Sequence, residues 1–268
     1  MSVVYSRRFF SAQANAHRKV AAERYLWLVS LAGIFFAWEM TVRSGLVSQS
    51  RLPSFTATVL TLASSLLDGA FLARVAQSFL NLTAGIFAAL AIAMPLALFA
   101  GLRNRFDTAM TPLIMLAGAL PDIALLPILV LWIGPGSVAA ISIAAFSAFF
   151  PIYFTIREGT KDIHRDLFHV AAVFNTGRVN TFRKLILPAI SPQLFTGLRL
   201  AYDFVWEIVL AIEIFSGVTG IGSYIAGAVE AGGVREAFAA ILAVGVMAIL
   251  VDRIVFGRAE AWIRRWMD

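Results

Sequence analysis

The segment REGTKDIHRDLFHVAAVFNTGRVNTFRKLILPAISP, residues 157–192, is the one long charged stretch in an otherwise apolar chain. Six Lys and Arg lie in it (Arg157, Lys161, Arg165, Arg178, Arg183, Lys184), and it closes on Leu187-Pro188. Apolar runs long enough to cross a bilayer flank it on both sides. A loop this basic between two spans belongs on the cytoplasmic face. Its middle, Asp166 to Phe174, has the spacing of a short amphipathic helix with small residues at Ala171 and Ala172. A part of this shape is suited to being gripped by another protein.

Composition agrees. Of 268 residues 60% are hydrophobic and 14% charged, with 22 Phe and 6 Trp, where soluble domains carry about 25% charged residues. One soluble core of this length could not hide that apolar area, so the natural solvent is lipid. The formal charge of +6 would elsewhere suggest nucleic acid. Here the basic residues sit between apolar runs and report topology instead, so no nucleic-acid partner is expected. The absence of cysteine excludes disulfides, thiolate metal sites and cysteine nucleophiles.

With about 20 apolar residues per span, six spans are expected: 25–40, 75–102, 108–132, 138–156, 192–215 and 237–256. Ser54 to Leu67 reads as an amphipathic piece at the outer interface, and Ile133-Gly134-Pro135-Gly136 as a tight turn. With the N-terminus inside, 17 of the 22 Lys and Arg fall on the cytoplasmic side. Four (Arg43, Arg51, Arg74, Arg235) fall outside, and Arg199 lies within a span. Both termini are therefore expected in the cytoplasm. Ser6-Arg7-Arg8-Phe9-Phe10 looks like a twin-arginine signal, but Arg18, Lys19, Glu23 and Arg24 interrupt it before the first apolar run. Residues 1–24 are read instead as a cytoplasmic basic tail, 25–258 as one membrane domain with its loop at 157–190, and 259–268 as a cytoplasmic C-terminal tail.

The fifth span carries Arg199, Asp203, Glu207 and Glu213. At 100° per residue these fall at about 0°, 40°, 80° and 320°, with Trp206 at about 340°. Charges in hydrocarbon cost at least ~2.5–3.5 kcal/mol each unless paired or wetted. This arc should therefore face the bundle interior or a water-filled path, with Asp122, beside Pro121 in the third span, as a candidate neighbour. The competing reading is a structural ladder joining Arg199 to Asp203 and Glu207.

Taken together, the motifs resemble those of permease subunits of binding-protein-dependent ABC importers, particularly the nitrate/sulfonate/taurine group. The resemblance spans roughly residues 52–256. It rests on Leu52-Pro53-Ser54, Leu120-Pro121, Leu126-Pro127, Leu131-Trp132-Ile133-Gly134, Phe150-Pro151, Gly197-Leu198-Arg199, Trp206, Glu213 and Gly220-Ile221-Gly222. The basic loop is similar to the family's E-A-A-x-x-x-G motif, whose glycine precedes the Pro of Leu-Pro by thirteen residues. Counting back from Pro188 places His169, Val170 and Ala171 on the E-A-A positions and Asn175 on the glycine, with Gly177 and Arg178 following. Asn is the next best residue to Gly where a helix ends with positive φ. His169 departs further, because a neutral histidine cannot supply the acidic contact that the family makes with its ATPase. Either His169 hydrogen-bonds instead, or Asp166, one turn earlier, offers a charge in its place. Asp203, Glu207 and Asp122 also look like departures, and three added acids disfavour a simple anion such as nitrate.

What the resemblance implies is an all-α polytopic protein with the type I ABC importer permease fold and a cytoplasmic coupling helix, in the bacterial inner membrane. It further implies a homodimer working with two ATP-binding subunits and a periplasmic solute-binding protein. ATP and Mg would sit on the ATPase partner and no cofactor in this chain, which has no Gly-Lys dipeptide and so no phosphate-binding loop. The solute class implied is sulfonates, taurine and related small ions. Three histidines (His17, His164, His169) without an HExxH pattern argue against a membrane enzyme. A proton-coupled carrier or channel using the intramembrane acids is the remaining rival.

Overall fold

A computed structural model describes residue 26 and residues 28–259. The tail read over 1–24 lies outside the described residues, as does the C-terminal tail beyond residue 259. Among the described residues the chain is helical and no strand occurs. The described residues divide into two compact units, one up to residue 61 and one from residue 62, where the sequence pattern alone suggests one membrane domain over 25–258.

In the first unit, helix α1 (residues 28–43) is followed by the start of α2 (Phe55–Ser65). Glu39 joins the two. Its carboxylate accepts from the Thr56 backbone N–H at 3.1 Å, from the Thr56 hydroxyl at 3.0 Å and from Arg43 at 2.7 Å. It thereby takes up one of the donors that a helix start leaves free. Trp38 donates its indole N–H to the Pro53 carbonyl at 2.9 Å, and Phe35 stacks on Phe55.

The second unit is built on three helices: α3 (Gly69–Leu102), α6 (Ser137–Lys161) and α9 (Leu187–Phe215). Their contact follows from a row of small residues. Gly85, Ala89, Ala93, Ala97 and Gly101 recur every fourth position of α3 and Ala140, Ala144 and Ala148 on α6, where the same row continues through the larger Ile152 and Ile156 to Thr160. Such rows let two backbones approach closely, the usual basis of helix association in lipid. An added Cβ at Gly101 would lie 2.6 Å from the Thr160 methyl, so that position has no room for a larger residue. Tyr153, Tyr202 and Trp206 fill the core these helices share.

Around this kernel lie α4 (Asn104–Gly118), α5 (Asp122–Ile133), the exposed α7 (Arg165–Val173), the short α8 (Arg178–Thr181), α10 (Ile221–Glu230) and α11 (Val234–Val251). A π-helical turn, Phe182–Ile186, leads into α9, and another, Asp252–Phe256, extends α11. Gly134 at φ 86° makes the turn read at residues 133–136.

Among the described residues, three helices are long and apolar enough to cross a membrane: Gly69–Leu102, Ser137–Lys161 and Val234–Ala259. They correspond to the expected second, fourth and sixth spans. The third is a bent pair rather than one rod, because α4 and α5 meet at 88°. Pro121 explains the break, since it has no N–H to continue the hydrogen-bond ladder and its ring restricts Leu120. The expected fifth span is α9, 29 residues long, its apolar run interrupted by Arg199, Asp203, Glu207 and Glu213.

Candidate functional site

The basic segment folds much as its pattern predicts. Helix α7 has nine residues and buries none of them fully. It is tethered by Ile163 before it and by Phe168, which pack on the main core. At 100° per residue Asp166, His169, Val170 and Val173 share the opposite face, and all four are exposed. Ala171 is turned partly inward, so Val170 and not Ala171 is the more outward of the motif residues. Asp166 sits in the first turn, where a negative charge suits the helix dipole, and its carboxylate is 3.6 Å from His164.

Asn175 has φ 51°, and it is the only non-glycine with positive φ among the described residues. Around it the chain makes the bond pair of a Schellman close: Thr176 N–H to Ala171 O at 3.0 Å and Asn175 N–H to Ala172 O at 3.0 Å. The Thr176 hydroxyl adds a bond to Ala171 O at 2.7 Å. Gly177, Arg178 and Pro188 follow, all exposed.

The polar face of α9 does not stay together. Asp203 and Glu207 are exposed on one side, while Trp206 and Glu213 are buried in the protomer. This corrects the expectation of one shared face: the boundary between core and surface runs through the arc. Arg199 pairs across to the turn after α11, with 2.8 and 3.0 Å contacts to Asp252. The i,i+4 ladder through Asp203 had not anticipated this partner, because Asp252 lies 53 residues away.

Glu213 is fully buried. One carboxylate oxygen accepts from the Ser78 hydroxyl at 2.7 Å and from the Gly222 N–H at 3.0 Å, while Ser78 accepts from Ile221 N–H at 2.8 Å. This ties α3, α9 and the start of α10 together and explains Gly222, where an added Cβ would stand 2.6 Å from the Glu213 Cβ. Glu213 thus belongs to a buried junction, not to the surface carrying Asp203 and Glu207. Ser78 was not anticipated, although a Ser and an Asn (Asn81) three residues apart in an apolar run were visible.

Asp122 and Glu207 do come together. With Pro121, Ile123, Phe204 and Ile208 they line a cleft of about 260 Å³ at the bend between α4 and α5. Asp122 begins α5, where an acid is favoured by the dipole.

A further cluster gathers around Asp107. Asp107 of α4 is 5% exposed. It binds Arg157 through two contacts, one of 2.7 Å, Lys161 at 2.5 Å and the Thr111 hydroxyl at 2.7 Å. Arg157 also pairs with Glu158. In the sequence Arg157 and Lys161 count only as loop charge. Their signal was Asp107, the one acid between residues 103 and 118.

These features are those of a membrane-embedded transport subunit. The family model for the binding-protein-dependent transport system inner membrane component matches residues 82–267, and the chain belongs to that family. The SsuC permease protein of Bacillus subtilis, assigned to aliphatic sulfonates transport, is 27% identical over 89% of this chain and 87% of its own length. The bicarbonate transport system permease protein CmpB of Synechococcus elongatus is 31% identical over 74% of this chain and 67% of its own. The taurine transport system permease protein TauC of Escherichia coli is 24% identical over 94% of each. The chain is thus an ABC importer permease subunit, a multi-pass membrane protein that serves transport rather than catalysis. The proton-coupled carrier reading gives way to it.

Proposed function

We propose that the chain forms, as a homodimer of six-span subunits, the translocation pathway for a small organic ion. The ion is handed over by a periplasmic binding protein, and import is driven by two ATPase subunits that hold ATP and Mg. Both termini are cytoplasmic, as is α7, in keeping with the distribution of basic residues. The observation that carries this reading is the exposed face of α7. Val170, Val173 and Phe174 are 51%, 79% and 76% exposed beside Asp166 and His169, on a helix whose C-terminus is locked by the Asn175 turn. Apolar side chains displayed on a rigid, charged segment outside the spans suit a protein partner.

In this mechanism, closure of the ATPase pair pushes α7, and the spans alternate from inward-facing to outward-facing. The cleft at Asp122 and Glu207 is the pathway surface each subunit offers. Its two acids favour a solute with an ammonium or neutral portion, such as an aminosulfonate, over a bare inorganic anion. Two of the relatives are named for organic solutes that carry a sulfonate, aliphatic sulfonates and taurine, and one for the inorganic anion bicarbonate.

Reconstituted uptake tests it. Proteoliposomes should take up solute only with ATP and binding protein, and a proton ionophore should not matter. Val170→Asp should lose the ATPase subunit on co-purification. Uptake without ATP that collapses with the proton gradient would overturn the reading. A binding screen on the cognate solute-binding protein names the solute.

A further inference from the structure

We propose that Asp107 is a positioning residue of the transport cycle, carrying movement of the α7 end of the molecule through α4 to the cleft. The proposal rests on α7 being the ATPase-facing surface. The geometry is a chain of short connections. Helix α6 ends at Lys161 and α7 begins at Arg165, so displacement of α7 acts first on the last turn of α6. That turn carries Arg157 and Lys161, and both hold the carboxylate of Asp107. Asp107 lies in the first turn of α4, and the far end of α4 is the 88° bend that presents Asp122 to the cleft.

Helix α4 is also joined to the end of α3 through Arg103, with Phe106 edge-on to Phe99 at 4.7 Å. That end of α3 is itself seated on Thr160 of α6 through Gly101. Asp107 and Ile114 are the only buried residues of α4, and Phe106 and Met110 add partial packing. A charged group with two cationic partners and a Thr111 bond, almost closed to solvent, resists being pulled apart, because separation would strand it in a poorly solvated place. The first turn of α4 therefore follows the last turn of α6. The bend supplies the other requirement of a lever: with no hydrogen-bond ladder across Pro121, α5 and its Asp122 can change angle against α4 at small cost. Energetic coupling needs contiguous contacts with an element that can move, and α6, Asp107, α4 and the bend provide both.

The test uses the permease assembled with its ATPase subunits in proteoliposomes, with loaded binding protein. Asp107→Asn removes the charge, and Lys161→Gln removes one half-exposed cation while leaving Arg157 in place, so it keeps the test alive if the first variant folds poorly. Solute taken up per ATP hydrolysed should fall at least fivefold in both, while Asp107→Glu retains most of it. In either weakened variant a cysteine at position 207 should lose its difference in labelling between ATP-trapped and resting states. Unchanged uptake per ATP, or uptake that falls only in step with the amount of folded permease, would overturn the proposal. Val170→Asp separates its premise: ATPase subunits that still co-purify with that variant would overturn the docking reading, and the relay with it. A Val170→Asp variant that loses them while Asp107→Asn transports normally refutes the relay alone.

Discussion

The guanidinium of Arg199, inside α9, grips the carboxylate of Asp252, just past the end of α11, at 2.8 and 3.0 Å. The pair bridges the fifth and sixth expected spans. It leaves Asp203, one helical turn beyond Arg199, exposed on the protomer surface.

Exchange of these two charges should expose the pair's role. Asp252→Asn and Arg199→Gln should each lower the unfolding temperature of the purified permease, with a coupling on the order of 1 kcal/mol in a double-mutant cycle. Arg199→Asp combined with Asp252→Arg should recover most of the loss. Additive effects with no recovery would mean that the contact is incidental.

At Asn175 the backbone angle, not the amide, is the requirement. Asn175→Gly should match or exceed the parent in stability. Asn175→Val should cost about 1–2 kcal/mol, because a β-branched residue resists φ near +51°. Loss of the ATPase subunit on co-purification with Asn175→Val, but not with Asn175→Gly, is the measurement. Equal behaviour of the two variants would show that the turn is not needed.

The junction at Glu213 should be intolerant of small changes. Ser78→Ala leaves the Glu213 carboxylate with the Gly222 N–H but without its hydroxyl donor, and strands the Ile221 N–H in the interior, at a cost of about 1–3 kcal/mol. Gly222→Ala must displace the Glu213 Cβ or the Leu210 carbonyl, 2.6 and 2.8 Å from an added Cβ, for about 1–3 kcal/mol more. Thermal unfolding of the detergent-solubilised protein checks both. Parent-like values would mean that the junction relaxes freely.

The cysteine-free chain allows the split of the α9 face to be read directly. Asp203→Cys and Glu207→Cys should react with a water-soluble thiol reagent, at rates that differ between ATP-trapped and resting states. Trp206→Cys and Glu213→Cys should stay protected. If neither exposed position labels in any state, the cleft is not part of the pathway and these acids are scaffolding.

What was legible in the sequence was what local rules govern. Apolar runs set by bilayer thickness placed the α3, α6 and α11 spans, Gly134 the turn, and amphipathic spacing the α7 helix. The placing of Asn175 on a glycine position anticipated its positive φ, since only a few residue types tolerate that angle. What tertiary structure alone decided was pairing over distance. Nothing local tells Arg199 to reach Asp252, or Asp107 to collect Arg157 and Lys161 from a helix fifty residues on. Nor could a helical wheel divide the α9 arc, because a wheel gives the angle of each side chain but not where the neighbouring helices stand. Those helices bury Glu213 against Ser78 and Gly222 and leave Glu207 open beside Asp122. A charge in an apolar span must find a partner or water, and which of the two it finds is settled only by packing.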